Sequence, residues 1–145
     1  MTTPASSPSP SRGDSWVVAQ FLLFAAIAVT WFIGDGVTSL GWVVAAAGLA
    51  LGIWAGVTMG HSLSPFPRPP RDAALVETGP YRFLRHPIYV GGTLFFAGLS
   101  LVFSTYGLIL TALLAGFWVA KARLEERHLS ARFPAYADYR RRTVF

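Results

Sequence analysis

The sequence predicts an all-α integral membrane protein whose four transmembrane helices form two hairpins. Hydrophobic residues make up 53% of the 145 residues, whereas charged residues make up 13%. About a quarter of the residues in a typical soluble domain are charged. The apolar residues fall into four long runs, and no segment between them could form a domain of strands. A chain inside a bilayer satisfies its main-chain hydrogen bonds through helices or a closed barrel, so the runs favour helices.

The N-terminal part predicts a disordered tail followed by one domain. Residues 1–15 are rich in Pro, Ser and Thr, and the domain is expected over residues 16–145. A signal peptide is the weaker alternative, because the following apolar run is too long for a signal core. That first run, Trp16 to Ile33, is interrupted only by Gln20 and Thr30 and would extend about 27 Å as a helix, close to the thickness of a bilayer core.

The other three runs complete the two hairpins. A tight turn at Gly34–Gly36 leads into the second run, Val37 to Met59, and the third run extends from Pro87 to Phe103. After a break at Ser104-Thr105, the fourth covers Tyr106 to Ala120. No proline follows before about Arg132, so the fourth helix is expected to continue beyond the membrane.

Glycines are spaced to let helices approach each other closely. Four of them repeat every fourth residue in the second run: Gly48, Gly52, Gly56 and Gly60. This spacing predicts a face that packs against another helix, and a groove for a lipid tail is the alternative. Such a face also makes a homodimer plausible. In the third run, Gly91 and Gly92 are expected to leave room for a ligand.

The distribution of Lys and Arg predicts the orientation in the membrane. These residues precede the first run, occupy the loop between the second and third runs, and follow the fourth. The two turns on the opposite side contain only Asp35 as a charged residue. By the positive-inside rule, both termini and the middle loop are cytoplasmic, in the cell's inner membrane. The net charge of +5 is then better suited to anionic lipid headgroups than to nucleic acid, which is not expected as a partner.

Residues capable of polar chemistry collect on this same side. They are His61, His86, Lys121, Glu125, Glu126 and His128. On a continuous fourth helix, Lys121, Glu125 and His128 share one face. Glu125 and Glu126 point about 100° apart, so only one of them faces the bundle. Because no HxxxH or HxxE spacing is present and the chain has no cysteine, no metal site is predicted.

Two blocks of the sequence resemble a known family. LVETGPYRFLRHPIYVGG (Leu75–Gly92) and KARLEERHLSARFPAYADY (Lys121–Tyr139) are similar to the isoprenylcysteine carboxyl methyltransferases and their bacterial relatives, which are akin to the phospholipid methyltransferases. The resemblance lies in the RHPxYxG motif and in the later Glu-Glu pair, Leu, Phe and two tyrosines. It implies methyl transfer from S-adenosylmethionine to a lipophilic small-molecule or lipidated acceptor, in a pocket built by the last two spans and their flanking segments.

The resemblance also implies roles for individual residues. The cofactor-binding residues would be Ala73, Ala74, Leu75, Val76, Tyr81, His86, Tyr89 and Glu125. Lys121 and Arg85 would be catalytic. Lys121 falls where other members have an arginine that faces the acceptor. For an amine acceptor, which needs a base, the candidates are His61 and His128.

Two other classes of function stay open from the sequence. Membrane sterol reductases resemble this C-terminal region, so an NADPH-dependent reductase is one alternative. The other is a non-catalytic membrane module, in which the glycines drive assembly and the charges only set the orientation.

Overall fold

The described part of the chain is entirely helical, as predicted. The computed structural model describes residues 12–36, 38–67 and 74–145. These residues contain no β-strand, and Leu84 and Val144 form an isolated parallel bridge. The α-helices are α1 (Arg12–Thr30), α2 (Gly41–Met59), α3 (Pro87–Phe103), α4 (Thr105–Arg132) and α5 (Tyr136–Arg142), with short 3₁₀ turns at Gly60–Ser62 and Gly79–Arg82.

The chain has the helices of a membrane protein. Within the described residues, α1, α2 and α4 are long and apolar enough to cross a bilayer, by length and composition. Helix α3 is apolar but has 17 residues, about 26 Å, whereas α4 with 28 residues extends about 42 Å. The predicted four-span topology and the cytoplasmic termini stay predictions.

The helix boundaries differ from the predicted runs in α1 and at the start of α2, which begins at Gly41, four residues after the predicted start at Val37. Helix α1 begins at Arg12, so Arg12–Ser15 are helical and do not belong to the predicted tail. It also ends at Thr30, three residues before the predicted end of the first run. Residues 1–11 lie outside the described residues. Helices α3 and α4 match the predicted third and fourth runs and the extension to Arg132.

Glycines bring α2 and α3 into close contact. A Cβ atom on Gly98 of α3 would lie 2.3 Å from the main-chain nitrogen of Ala45, and one on Gly48 of α2 would lie 2.4 Å from that of Phe95. Real Cβ atoms do not approach other atoms so closely. The backbones of the two helices therefore touch because side chains are absent there.

Two expectations about the glycines need correction. A Cβ atom on Gly52 or Gly56 would meet nothing within 4 Å, so only part of the predicted glycine face requires glycine. Gly91 and Gly92 do not clear space for a ligand. A Cβ on Gly91 would lie 2.8 Å from the carbonyl oxygen of Gly48, and one on Gly92 would lie 2.5 Å from the indole of Trp118, so neighbouring helices fill both places.

The helices pack in the order α2, α3, α4, α1. Ile27 of α1 packs with Leu114 and Trp118 of α4 in a buried apolar cluster. Phe24 of α1 stacks on Phe96 of α3, with ring centroids 4.8 Å apart. This arrangement brings the end of α2, the start of α3 and the polar part of α4 to one end of the bundle.

Substitution of Gly98 by alanine should destabilise the fold. The added methyl group would overlap the backbone of α2 and force the helices apart, which costs about 1–3 kcal/mol. Gly52→Ala is the matched control, because its methyl group meets no atom within 4 Å and should leave stability unchanged or slightly higher. Thermal unfolding in detergent measures both. Equal melting temperatures for the two variants would contradict the close packing of α2 and α3.

Candidate functional site

A cavity of about 360 Å³ lies at the end of the bundle where α2 ends and α3 begins. Its walls come from α1, the end of α2 and the segment after it, the segment before α3, and α3, α4 and α5. Among the residues that line it are Gln20, Met59, Leu63, Pro65, Phe66, Ala74, Leu75, Val76, Tyr81, Arg85, His86, Ile88, Tyr89, Lys121, Glu125, Tyr136 and Tyr139.

The residues predicted from the sequence meet at this cavity. Nine of the ten predicted site residues line it, and the tenth, Ala73, lies outside the described residues. They come from two segments that are distant in the sequence, residues 74–89 and 121–125, which the packing of α3 against α4 brings together. Their predicted roles, binding a cofactor or acting on an acceptor, stay predictions.

One wall combines a carboxylate with stacked aromatic rings. The hydroxyl of Tyr89 donates a hydrogen bond to Glu125 Oε1 at 2.5 Å. His86 Nδ1 lies 3.6 Å from Glu125 Oε2. The ring of Tyr89 is sandwiched between the imidazole of His86 and the indole of Trp118, at centroid distances of 5.5 and 5.4 Å. This stacking fixes Tyr89 and presents Glu125 to the cavity.

Glu126 faces away from the cavity and holds the start of α3. Arg85 Nε donates to Glu126 Oε1 at 2.7 Å, and His86 Nε2 lies 3.3 Å from the same oxygen. Glu126 does not line the cavity, in agreement with the predicted 100° divergence of the two glutamates. Adjacent glutamates thus serve two different surfaces of α4.

The guanidinium of Arg85 is engaged by the protein. Besides Glu126, its Nη1 donates to the main-chain oxygen of Thr143 at 2.6 Å. The main-chain nitrogen of Arg85 donates to the oxygen of Val144 at 2.9 Å, and that of His86 reaches the oxygen of Phe145 at 3.3 Å. These contacts favour a structural role for Arg85, which ties α3, α4 and the last residues together. Its catalytic role stays a prediction.

The start of α3 has the predicted form. Pro87 is its first residue and His86 precedes it outside the helix, with φ −128° and ψ 57°. Burial lowers the pKa of His86 below its ordinary value of 6.5, and this effect outweighs the opposing attraction of Glu126. The lowered pKa favours the neutral imidazole, which has one N–H to donate.

Lys121 is the only lysine in the sequence, and its side chain is buried, with 1% exposure. Its ammonium donates to the main-chain oxygen of Pro65 at 2.7 Å and to Gln20 Oε1 at 3.0 Å. Its Nζ also lies 5.5 Å from the centroid of the Tyr89 ring, within cation–π range. A buried cation bordering a cavity is a strong point of attraction for an anion.

Several lining residues were not predicted. Gln20 comes from α1, and the segment from Ser62 to Pro67 covers the cavity after α2. The hydroxyl of Tyr136 is buried and has no hydrogen-bond partner among the described residues. The sequence contains a hint for Gln20, which is a long polar side chain within an apolar run. For the segment from Ser62 to Pro67, nothing in the sequence distinguishes it from an ordinary loop.

Tyr139 anchors α5 beneath the cavity. Its hydroxyl donates to the main-chain oxygen of Tyr81 at 2.9 Å, and burial raises the pKa of Tyr139 to about 12. The hydroxyl therefore keeps its proton and its hydrogen bond at physiological pH. Gly79, with φ 57°, makes the turn that delivers Tyr81 to this contact.

The histidines predicted as bases for an amine acceptor lie elsewhere. His61 is exposed, and neither it nor His128 lines the cavity. His128 Nδ1 lies 2.8 Å from the main-chain oxygen of Leu124 on its own helix. Across the described ranges, no group of three or more His, Asp or Glu residues is arranged to hold a metal ion.

Comparison with known proteins identifies the family. The family model described as phospholipid methyltransferase matches residues 37–135, which include α2, α3 and α4. The chain belongs to the phospholipid methyltransferase family. The resemblance seen in the sequence is thereby confirmed, and membership in this family of membrane methyltransferases agrees with the apolar helices.

Two relatives match about half of the chain. The cobalt-zinc-cadmium resistance protein CzcN of Cupriavidus metallidurans is 40% identical over 77 residues, 50% of this chain and 35% of the relative. The nickel-cobalt-cadmium resistance protein NccN of Alcaligenes xylosoxydans xylosoxydans is 39% identical over 75 residues, with the same coverage. The match thus spans about a third of each relative. No solved structure matches the chain.

The lowered pKa of His86 predicts a pH dependence of stability. Below pH 6.5 the unfolded chain binds a proton at this position more readily than the folded protein does. Stability is therefore fully present above about pH 6.5 and is lost as the pH falls, by at most about 1.4 kcal/mol per pH unit from a single group. His86→Gln should make the pH dependence of the melting temperature in detergent shallower between pH 7 and pH 5.

The matched control is His61→Gln, because His61 is exposed. This variant should keep the wild-type slope. A His86→Gln slope as steep as that of the wild type would show that the imidazole is not buried in its neutral form.

Proposed function

We propose that this protein transfers a methyl group from S-adenosylmethionine to an anionic, lipid-borne acceptor, such as the carboxylate of an isoprenylcysteine, at the cytoplasmic face of the inner membrane. One observation supports this above the others. In a methyltransferase family member, the carboxylate of Glu125 and the buried ammonium of Lys121 border the same cavity at the end of an apolar bundle.

The residues of the cavity fit the proposed cofactor. Glu125 offers a carboxylate to an amino acid's ammonium group, and the side chains of Leu75, Val76 and Ile88 offer apolar surface. The hydroxyl of Tyr136, which has no partner among the described residues, is available to a polar group of a ligand. The volume of about 360 Å³ lies within the range of small-molecule pockets. Glu125, Tyr89, His86 and the Ala74–Val76 segment would hold the cofactor.

When bound, S-adenosylmethionine supplies a methyl group on a positively charged sulfur, and in the transfer the carbon–sulfur bond breaks as the acceptor's oxygen forms the new bond, leaving a neutral thioether. A carboxylate acceptor is already ionised, so the protein has no proton to remove. Lys121 attracts and orients the acceptor's charge, and the covering segment with Pro65 excludes water from it.

The position of the cavity suits an acceptor that arrives from the membrane. Apolar side chains form much of its lining, among them Met59, Leu63, Phe66 and Ile88. Arg82 and Arg85 of the middle loop and the cations of α4 lie at the same end of the bundle, which supports a cytoplasmic orientation. Arg68 and Arg71 of that loop lie outside the described residues.

A calorimetric titration and a thermal-shift measurement of detergent-solubilised protein test the proposed cofactor. S-Adenosylhomocysteine should bind in the titration and raise the melting temperature, whereas NADPH should do neither. Glu125→Gln should weaken S-adenosylhomocysteine binding about 10-fold or more, because the cofactor's ammonium loses a charged partner. Glu126→Gln is the matched control. Glu126 lies outside the cavity and holds Arg85, so this variant should lower the melting temperature and change the affinity less than about 3-fold.

Binding of NADPH alone would overturn the proposal in favour of a reductase. Binding of neither ligand would favour a non-catalytic membrane module. Equal effects of the two glutamate variants on affinity would contradict the assignment of Glu125 to the cofactor.

A further inference from the structure

Gln20 is a polar residue in the apolar helix α1, and its amide reaches the cavity. An amide in such a helix needs partners, because a polar group without them is costly in an apolar environment. Helix α1 also lies outside residues 37–135, the segment that the family match covers. Gln20 therefore belongs to the site but lies outside the segment that the family model matches.

The partners of Gln20 fix the orientation of its amide. Gln20 Oε1 accepts hydrogen bonds from Trp118 Nε1 and from Lys121 Nζ, each at 3.0 Å. Both groups can only donate, so the oxygen and not the nitrogen of the amide must face them. Trp118 and Lys121 lie one turn apart on α4, with 4% and 1% exposure. A single oxygen thus connects α1 to two buried donors of α4.

The acceptors around Lys121 leave its charge uncompensated by a direct ion pair. Gln20 Oε1 and the main-chain oxygen of Pro65 are both neutral. The nearby Glu125 is hydrogen-bonded to Tyr89. An ammonium group has three donors, and Gln20 and Pro65 use two of them. Among the described residues no hydrogen-bond acceptor takes the third donor, so it is available to an anion in the cavity.

We infer that Gln20 is a positioning residue, which holds the Lys121 ammonium in place through a neutral hydrogen bond and so makes the site selective for an anionic acceptor group. This inference rests on the proposed function for the identity of the acceptor. The contact between Gln20 and Lys121 does not depend on it. A glutamate at position 20 would hold the ammonium equally well but neutralise it.

Chemical labelling of Lys121 tests the contact without any activity. Because Lys121 is the only lysine, an amine-reactive acetylating reagent marks it specifically, and peptide mass spectrometry measures the rate. Gln20→Met, which removes the acceptor, should speed labelling about 10-fold, because the charged form of the amine loses a hydrogen bond. Gln20→Glu should slow labelling below the wild-type rate, because a carboxylate stabilises the charged form.

Thr30→Val is the matched control on the same helix. Thr30 is buried and bonds to its own helix, at Ile27, so its variant should label at the wild-type rate. Changes in the same direction for Gln20→Met and Gln20→Glu, or no change in either, would overturn the inference. If Gln20→Met does not fold, the labelling rate of Gln20→Glu relative to the wild type still tests the inference, because this rate should be lower.

Binding of a farnesylated cysteine and of its carboxamide tests selectivity. The wild type should bind the carboxylate at least about 10-fold more tightly than the amide, and Gln20→Glu should remove this preference while S-adenosylhomocysteine affinity stays within about 3-fold. A Gln20→Glu protein that keeps the preference would overturn the inference. If neither the wild type nor any variant binds S-adenosylhomocysteine, the result would instead count against the proposed function. The labelling rates would still test the contact between Gln20 and Lys121.

Discussion

The site depends on the junction between the start of α3 and the adjacent glutamates of α4. Helical geometry turns Glu125 and Glu126 about 100° apart, so neighbouring carboxylates serve different surfaces. Glu126 holds Arg85 and His86, which lie immediately before α3. Glu125 meets Tyr89 in the first turn of α3 and borders the cavity. If this junction were lost, neither the position of α3 along α4 nor the carboxylate wall would be defined.

This junction places charged side chains in a largely buried environment, where an unpaired charge is energetically costly, and each of these side chains has a partner. The side chains of Arg85, Glu125 and Glu126 are 13–17% exposed. A buried ion pair contributes little net stability but is strongly destabilising when one partner is removed. Such a network therefore specifies a single arrangement more than it strengthens the fold. The close glycine contacts of α2 and α3 supply the complementary apolar constraint.

The sequence predicted those features that depend on local patterns. The extent of the apolar runs and the absence of proline defined α3 and α4, and Pro87 marked the first residue of α3. The divergence of Glu125 and Glu126 followed from the helix period alone. The set of residues around the cavity came from resemblance to a family, and the structure brings nine of them together.

Features that depend on contacts between distant segments could not be predicted. Gln20 lies 101 positions from Lys121 in the sequence, and nothing local shows that α1 packs on α4. The residues around Thr143 look like a charged tail, yet they bind the guanidinium of Arg85. Gly91 and Gly92 were expected to leave space for a ligand. The sequence shows that these residues are small, but it does not show which neighbouring atoms fill the space beside them.

Transfer of labelled methyl groups tests the central claim most directly. The purified protein in liposomes made with the lipid extract of its own membranes would be given S-adenosylmethionine that carries a radioactive methyl group. Label should enter the organic phase and be released by alkali as volatile methanol, as a methyl ester requires, and Glu125→Gln should incorporate much less of it at the same cofactor concentration. Organic-phase label that resists alkali would contradict a carboxylate acceptor, and the absence of any transferred label would contradict the methyltransferase itself.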